Sequence, residues 1–448
     1  MPRLVLHRSF TRLVSAACLL AAATSGEAAV SVEDQLRELA EQNRQLMEQL
    51  KTQQKTIDEL RTRMDAADGV SARRETQLLE IKEQVAENAG SPAASAVRSE
   101  GGGQKVILSG VAGLAFFDSG SQGQFPNAEF RVDEAKLFLE APVWTDTYFL
   151  AEIDLTLREQ DTIALGEVYM DFERAGRAFG LGRELNVRVG RINLPFGEEY
   201  LVRDAINNPL ISHSLADVWG VDEGVALYGE KGKWSYVLAV QNGGRALARD
   251  FDKDKSVTAR VSYDPLAWLH VSASALRTGD LSVAGDGISE VWFADGVFVP
   301  IGGPTTTVFS GKLYELNATG RWKSGHLNVA LGRGEYSDDD RAADNSRRMS
   351  YGSVELMQTF VDGFFGAARY SWIDAKKGYP LSGHGDRGRY LFSGALTDEL
   401  RRLGLGVGYR FGEPLVIKAE YMMEDGSLLN GTKRDNEDLF AAEIGLKF

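Results

Sequence analysis

The chain has 448 residues, 50 Lys and Arg against 64 Asp and Glu, and a net charge of −14, which argues against a nucleic-acid partner. One cysteine rules out a disulfide framework, and no run of 18 apolar residues follows the first 28, which rules out helical membrane spans. The chain is 43% hydrophobic, yet its mean hydropathy is −0.23, as expected where apolar side chains occupy alternate positions.

Residues 1–28 read as a secretory signal. Arg3, His7, Arg8 and Arg12 form a basic region, Leu13 to Ala23 an apolar one, and Gly26-Glu27-Ala28 a small-residue cleavage site. Cys18, the only cysteine, lies inside that signal.

Residues 30–88 read as a coiled-coil stalk. With Leu36 at heptad position a, the a positions are Leu36, Asn43, Leu50, Ile57 and Met64. The d positions are Val32, Leu39, Leu46, Gln53, Leu60 and Ala67. The rest are mostly Glu, Gln, Lys and Arg, so the apolar stripe is a narrow seam that needs partner helices. Such a seam implies a homo-oligomer, and Asn43 at an a position leans toward a parallel dimer. Residues 89–103, small and glycine-rich, read as a flexible linker.

From residue 104 to 448 the pattern is all-β, with about sixteen strand candidates. They begin with Val106–Asp118, Phe130–Pro142 and Tyr148–Arg158 and end with Leu403–Phe411, Leu415–Met423 and the terminal strand. Tight turns at Trp144-Thr145-Asp146, Lys231-Gly232, Asp264-Pro265, Ser324-Gly325, Asp362-Gly363 and Gly412-Glu413-Pro414 alternate with long polar loops. That asymmetry predicts a 16-stranded antiparallel transmembrane β-barrel with short periplasmic turns and long extracellular loops. Trp144, Trp268, Trp322 and Phe411 at the short-turn ends fit an interfacial girdle facing membrane lipid. The final strand places Phe440, Ala442, Ile444, Leu446 and Phe448 on one face, and its terminal aromatic resembles the signature of bacterial outer-membrane barrels.

Several segments resemble the phosphate-selective porin O/P family. They are Glu129-Phe130-Arg131 with Ala135-Lys136-Leu137, Val189-Gly190-Arg191-Ile192-Asn193-Leu194-Pro195-Phe196-Gly197, Arg203-Asp204, Gln241-Asn242-Gly243, Ala259 to Pro265 and Ile417 to Tyr421. The resemblance covers about residue 105 to 448. It implies a trimeric outer-membrane channel, often with an N-terminal coiled coil, that takes up small anions such as phosphate through basic residues lining the pore. Asn193 stands where the family often has lysine, and Val221-Asp222-Glu223-Gly224 where it often has Arg-Asp-x-Gly.

Alternation assigns Lys136, Arg158, Arg188, Arg260, Arg321 and Lys418 to the lumen face, because a charge on the lipid face near mid-membrane costs roughly 2–4 kcal/mol. Glu152, Asp154, Glu167, Asp171, Glu173 and Glu420 face the same way, so a mixed-sign ladder competes with true anion selectivity. The segment Gly197–Asp222 is too long for a hairpin loop and takes the place of the porin constriction loop, with Arg203, Asp204 and His213 as its candidate residues. No metal-ligand cluster, phosphate-cradling glycine loop or catalytic triad is legible, so neither a cofactor nor an enzymatic activity is expected. Two readings follow: a passive channel for small hydrophilic solutes, or an envelope tether whose coiled coil binds a periplasmic or cell-wall partner while the barrel anchors it.

Overall fold

The computed structural model describes residues 106–155, 163–245, 249–302, 305–382 and 395–448. The signal, coiled-coil and linker expectations and Arg158 lie outside the described residues. In chain order the strands are β1 (Ile107–Ser119), β2 (Glu129–Trp144), β3 (Thr147–Asp154), β4 (Ala164–Phe172), β5 (Asn186–Asn193), β6 (Val218–Trp219) and β7 (Val221–Lys231). Then come β8 (Trp234–Gln241), β9 (Ser256–Leu266), β10 (Leu269–Arg277), β11 (Leu281–Ser282), β12 (Trp292–Phe293), β13 (Gly296–Val297) and β14 (Val308–Trp322). The last are β15 (Gly325–Asp338), β16 (Arg347–Val361), β17 (Phe364–Tyr379), β18 (Thr397–Arg410), β19 (Leu415–Leu428), β20 (Lys433–Arg434) and β21 (Leu439–Lys447).

All but β6, β11, β12, β13 and β20 form a closed 16-stranded antiparallel barrel in which each strand pairs with its sequence neighbours. Closure comes from β1 against β21, from Val111↔Lys447 to Ser119↔Leu439. Beyond that register Phe448 and Gly110 exchange backbone hydrogen bonds of 3.0 Å each way. A closed ring leaves no unpaired strand edge, which hydrocarbon could not satisfy.

Alternation then decides the two faces. Leu316, Leu331, Val354, Leu356, Val407 and Ile444 are exposed on the outside. Trp144, Trp234, Trp268, Trp322 and Phe411 are exposed around the short-turn rim. The tight turns form there because Asp146, Gly232, Gly363 and Gly412 take positive φ of 55°, 63°, 73° and 77°. The expected turn at Asp264-Pro265 is displaced: β9 continues to Leu266, the turn is Ala267-Trp268, and the register slips at Leu269/Val271.

The wall is uneven. Strands β3, β4 and β5 have 8, 9 and 8 residues, whereas β14, β16 and β17 have 15, 15 and 16. The tall strands also carry an apolar inner face near the long-loop rim: Phe309, Leu313, Tyr336, Met349, Tyr351, Ile373, Tyr379 and Leu400. Water does not reach them. The third loop (residues 194–220) and the fifth (residues 278–307) fold inward and supply Leu194, Phe196, Leu215, Val218, Phe293 and Phe298 to the same core. Strand β12 joins the two loops by pairing with β6 and β13, with Trp219 stacked on Trp292 at 5.7 Å. Part of the lumen is therefore filled by a packed apolar plug.

Candidate pore and constriction loop

The third loop leaves the wall after β5 and crosses the lumen. Ala205 N donates to Glu134 of β2 at 2.8 Å, and Leu215 N to Ser371 Oγ of β17 at 3.0 Å. Ile211 N and Ser212 N both donate to Glu420 Oε2 of β19 at 2.7 Å, and Ser212 Oγ donates to Glu420 Oε1 at 2.5 Å. Glu420 is 2% exposed, so one buried carboxylate satisfies three donors of the loop. Leu210 packs where β18 has glycine: a Cβ at Gly404 or Gly406 would meet its methyl carbons at 3.2 and 2.5 Å.

The candidate residues fall into separate places. Lys136 faces inward on β2, 2.9 Å from Glu152 and 3.4 Å from Glu134. Arg188 donates from Nε and Nη2 to Asp171 at 3.0 and 2.7 Å, and its guanidinium lies 4.1 Å from the Tyr169 ring centre. Arg260 donates to Gly197 O at 2.6 Å, 3.8 Å from Glu198 and 5.3 Å from the Tyr200 ring. Arg188 and Arg260 line one 460 Å³ cavity beneath the loop with Glu167, Asn193, Tyr228 and Ser262. Arg321 shares the inner parity of Glu315 and Asn317 but stands exposed at the short-turn rim.

Lys418 corrects its assignment as a pore-lining group. It is on the inner face, but at 2% exposure it is sealed under the third loop. Its Nζ pairs with Glu443 at 2.7 Å and donates to Leu210 O and Asn208 O at 2.9 and 3.2 Å. It anchors the loop and meets no water-filled passage. Asp204 is also structural: its carboxylate accepts Ile206 N and Asn207 N at 2.9 Å each, closing the loop's own turn.

Arg203 and His213 do come together. Arg203 donates to Asp217 Oδ2 at 2.8 Å, contacts His213 Nδ1 at 3.2 Å and stacks over Trp219 at 4.4 Å. Asp217 was not singled out in the sequence. It is 5% exposed, and its Oδ1 has no hydrogen-bond partner among the described residues. Burial pushes its pKa up to about 7; Arg203 opposes the shift, while Glu199 and Asp295 add to it. Asp295, at the tip of the fifth loop, is also pushed up by burial against the pull of Arg402, which donates to it at 2.5 Å. Arg402 also holds Glu424, so the fifth loop is tied to β18 and β19 through one guanidinium. An isolated Asp in a loop gives no sequence signal of such a role; only the folded loop supplies the neighbours.

No protein-family model matches the chain, and no curated protein matches it. Solved structures do. The outer membrane channel DcaP of Acinetobacter baumannii is 10% identical with a TM-score of 0.52, over 79% of this chain and 100% of that one. An anion-selective porin from Comamonas acidovorans is 10% identical with a TM-score of 0.51, over 77% and 99%. OmpT, an outer membrane protein of Vibrio cholerae solved in a trimer form, is 12% identical with a TM-score of 0.50, over 77% and 99%. The chain thus has the porin-type barrel fold.

Proposed function

We propose that the chain is an outer-membrane porin, a water-filled passive channel for small hydrophilic solutes, and that it belongs with the phosphate-selective porin O/P proteins that residues 189–197 resemble. The observation carrying this reading is a closed barrel, apolar outside, whose third loop narrows a lumen of mixed charge. Each basic candidate with a described inward contact is paired: Lys136 with Glu152, Arg188 with Asp171, and Arg203 with Asp217, while Arg260 is neutralised less directly by Glu198. Paired charges hold water but produce little net potential, so the channel discriminates weakly between anions and cations. In planar bilayers the purified protein should give steady conductance and a reversal potential near zero in a salt gradient. A large anion-directed potential would overturn weak selectivity in favour of phosphate-type uptake, and no conductance at all would sink the channel reading.

A trimer is part of the proposal. Register through Leu139, Ala151 and Val168 puts Arg191 on the outside of the low wall, 3.2 Å from Glu223 and 3.8 Å from Glu290. Arg191 is itself only 8% exposed, but its partner Glu223 has a 40% exposed side chain, and a neighbouring protomer covering β3 to β5 relieves the cost of that charge beside lipid. The tether reading rests on the heptads of residues 30–88 alone.

A further inference from the structure

The structure assigns an outward basic row on β14 to β17 as a docking surface for phosphate-bearing lipid headgroups, an assignment that rests on the outer-membrane reading above. Arg277, Lys312, Glu335, Arg348 and Lys376 are successive register partners on β10, β14, β15, β16 and β17. They form a single row across five neighbouring strands. Their chain neighbours Leu276, Leu313, Tyr336, Met349 and Ala375 are buried inside the barrel, so the row itself points outward. Lys312, Arg348 and Lys376 are exposed. One step down the same face stands Tyr314, and one more step down stand Leu316 and Leu331, all exposed. The row therefore sits just above the apolar belt, at headgroup height on the long-loop side.

The charges are not balanced within the protein. Arg277 is held by Asp254 at 2.6 Å, and Glu335 is held by Arg333 at 3.2 Å. Lys312, Arg348 and Lys376 make no ion pair among the described residues. Arg348 and Lys376 are direct cross-strand partners, an arrangement of like charges that destabilises a sheet unless an anion lies between them. This occurs on a chain whose net charge is −14, so it is not the overspill of a basic protein. Lys312 and Lys376 lie three strand spacings apart, roughly 14 Å, which gives room for a headgroup carrying more than one phosphate. Acyl chains of the same lipid would run down over Tyr314, Leu316 and Leu331. A free phosphate would gain nothing from that apolar face, which selects the lipid.

The test uses the full chain in detergent, offered bis-phosphorylated lipid A, its dephosphorylated form, or inorganic phosphate, with bound lipid read by native mass spectrometry. Wild type should retain the phosphorylated lipid, and high salt should release it. The triple variant Lys312→Gln, Arg348→Gln, Lys376→Gln should bind on the order of 100-fold more weakly, from about fivefold per basic residue at a membrane surface. A control, Lys231→Gln at the other rim, should bind as wild type. Equal retention by the triple variant, equal retention of the dephosphorylated lipid, or displacement by inorganic phosphate at matched phosphorus overturns the assignment. Bilayer conductance of the same preparations is read separately. Steady current with no lipid difference removes the docking surface and leaves the porin standing, whereas lipid selectivity without current removes the porin reading.

Discussion

Asp217 gives the third loop a pH dependence whose sign can be worked out. An unfolded aspartate titrates near 4, and burial raises Asp217 to about 7 in the fold. The fold thus binds this proton more tightly than the unfolded chain does. The resulting stability is fully present below about pH 4 and is lost as pH rises through about 7. Hydrogen exchange of residues 203–217, corrected for intrinsic rate, should be slower at pH 5 than at pH 8. Asp217→Asn should flatten the difference; faster corrected exchange at pH 5 would mean that the Arg203 pair outweighs burial. Glu420 makes a second case. Glu420→Ala leaves the buried Ile211 and Ser212 amides unpaired, each costing about 1–3 kcal/mol. Single-channel records should then show larger, noisier openings, and a wild-type trace would show that the other contacts suffice to hold the loop. At this scale the sequence was partly legible. Strand parity points Lys136, Arg188, Arg260 and Lys418 to one face, because that depends only on alternation. It could not separate Lys418 under the loop from Lys136 beside water, because the covering residues lie some 210 positions away.

At the scale of elements, all the barrel strands were legible, because tight turns and alternating faces are local signals. Two things were not. Strands β18 and β19, Thr397–Arg410 and Leu415–Leu428, extend farther toward the long-loop rim than the expected Leu403–Phe411 and Leu415–Met423; there both faces carry polar or apolar residues according to what the loops cover. The fifth loop's short strands also gave no periodic signal, since two residues each are too few. Tyr336, Tyr351 and Tyr379 on inner faces form the floor on which Phe293 and Phe298 pack, a role that alternation alone does not reveal. Phe293 is fully buried, so Phe293→Ala should cost about 3–5 kcal/mol. The thermal transition should fall and the fifth loop should become open to protease while the barrel still resists detergent. Loss of the barrel itself would mean that the plug also holds the wall.

For the whole molecule, the apolar exterior and the closing pair between β1 and β21 make the C-terminal residue a structural part of the ring. Deleting Phe448 removes both of its backbone hydrogen bonds to Gly110 and a ring that packs over that glycine. The deleted chain should be exported yet show less heat-modifiable barrel on gels, and wild-type amounts would contradict the membrane-barrel reading. The closing strands carry a further feature. Gly113 of β1 and Gly445 of β21 are register partners, and Ala205 of the third loop lies over both. A Cβ at Gly113 would stand 3.2 Å from the Ala205 Cβ, and one at Gly445 would stand 2.6 Å from its carbonyl oxygen. The same loop is gripped by Glu134 near the start of the barrel and by Glu420 near its end. Its seat therefore does not exist until the last strand has met the first. The loop can seat only on the closed ring, where it acts as a buckle across the joint. Once fastened, it opposes the one separation by which such a ring could reopen without unthreading its hairpins.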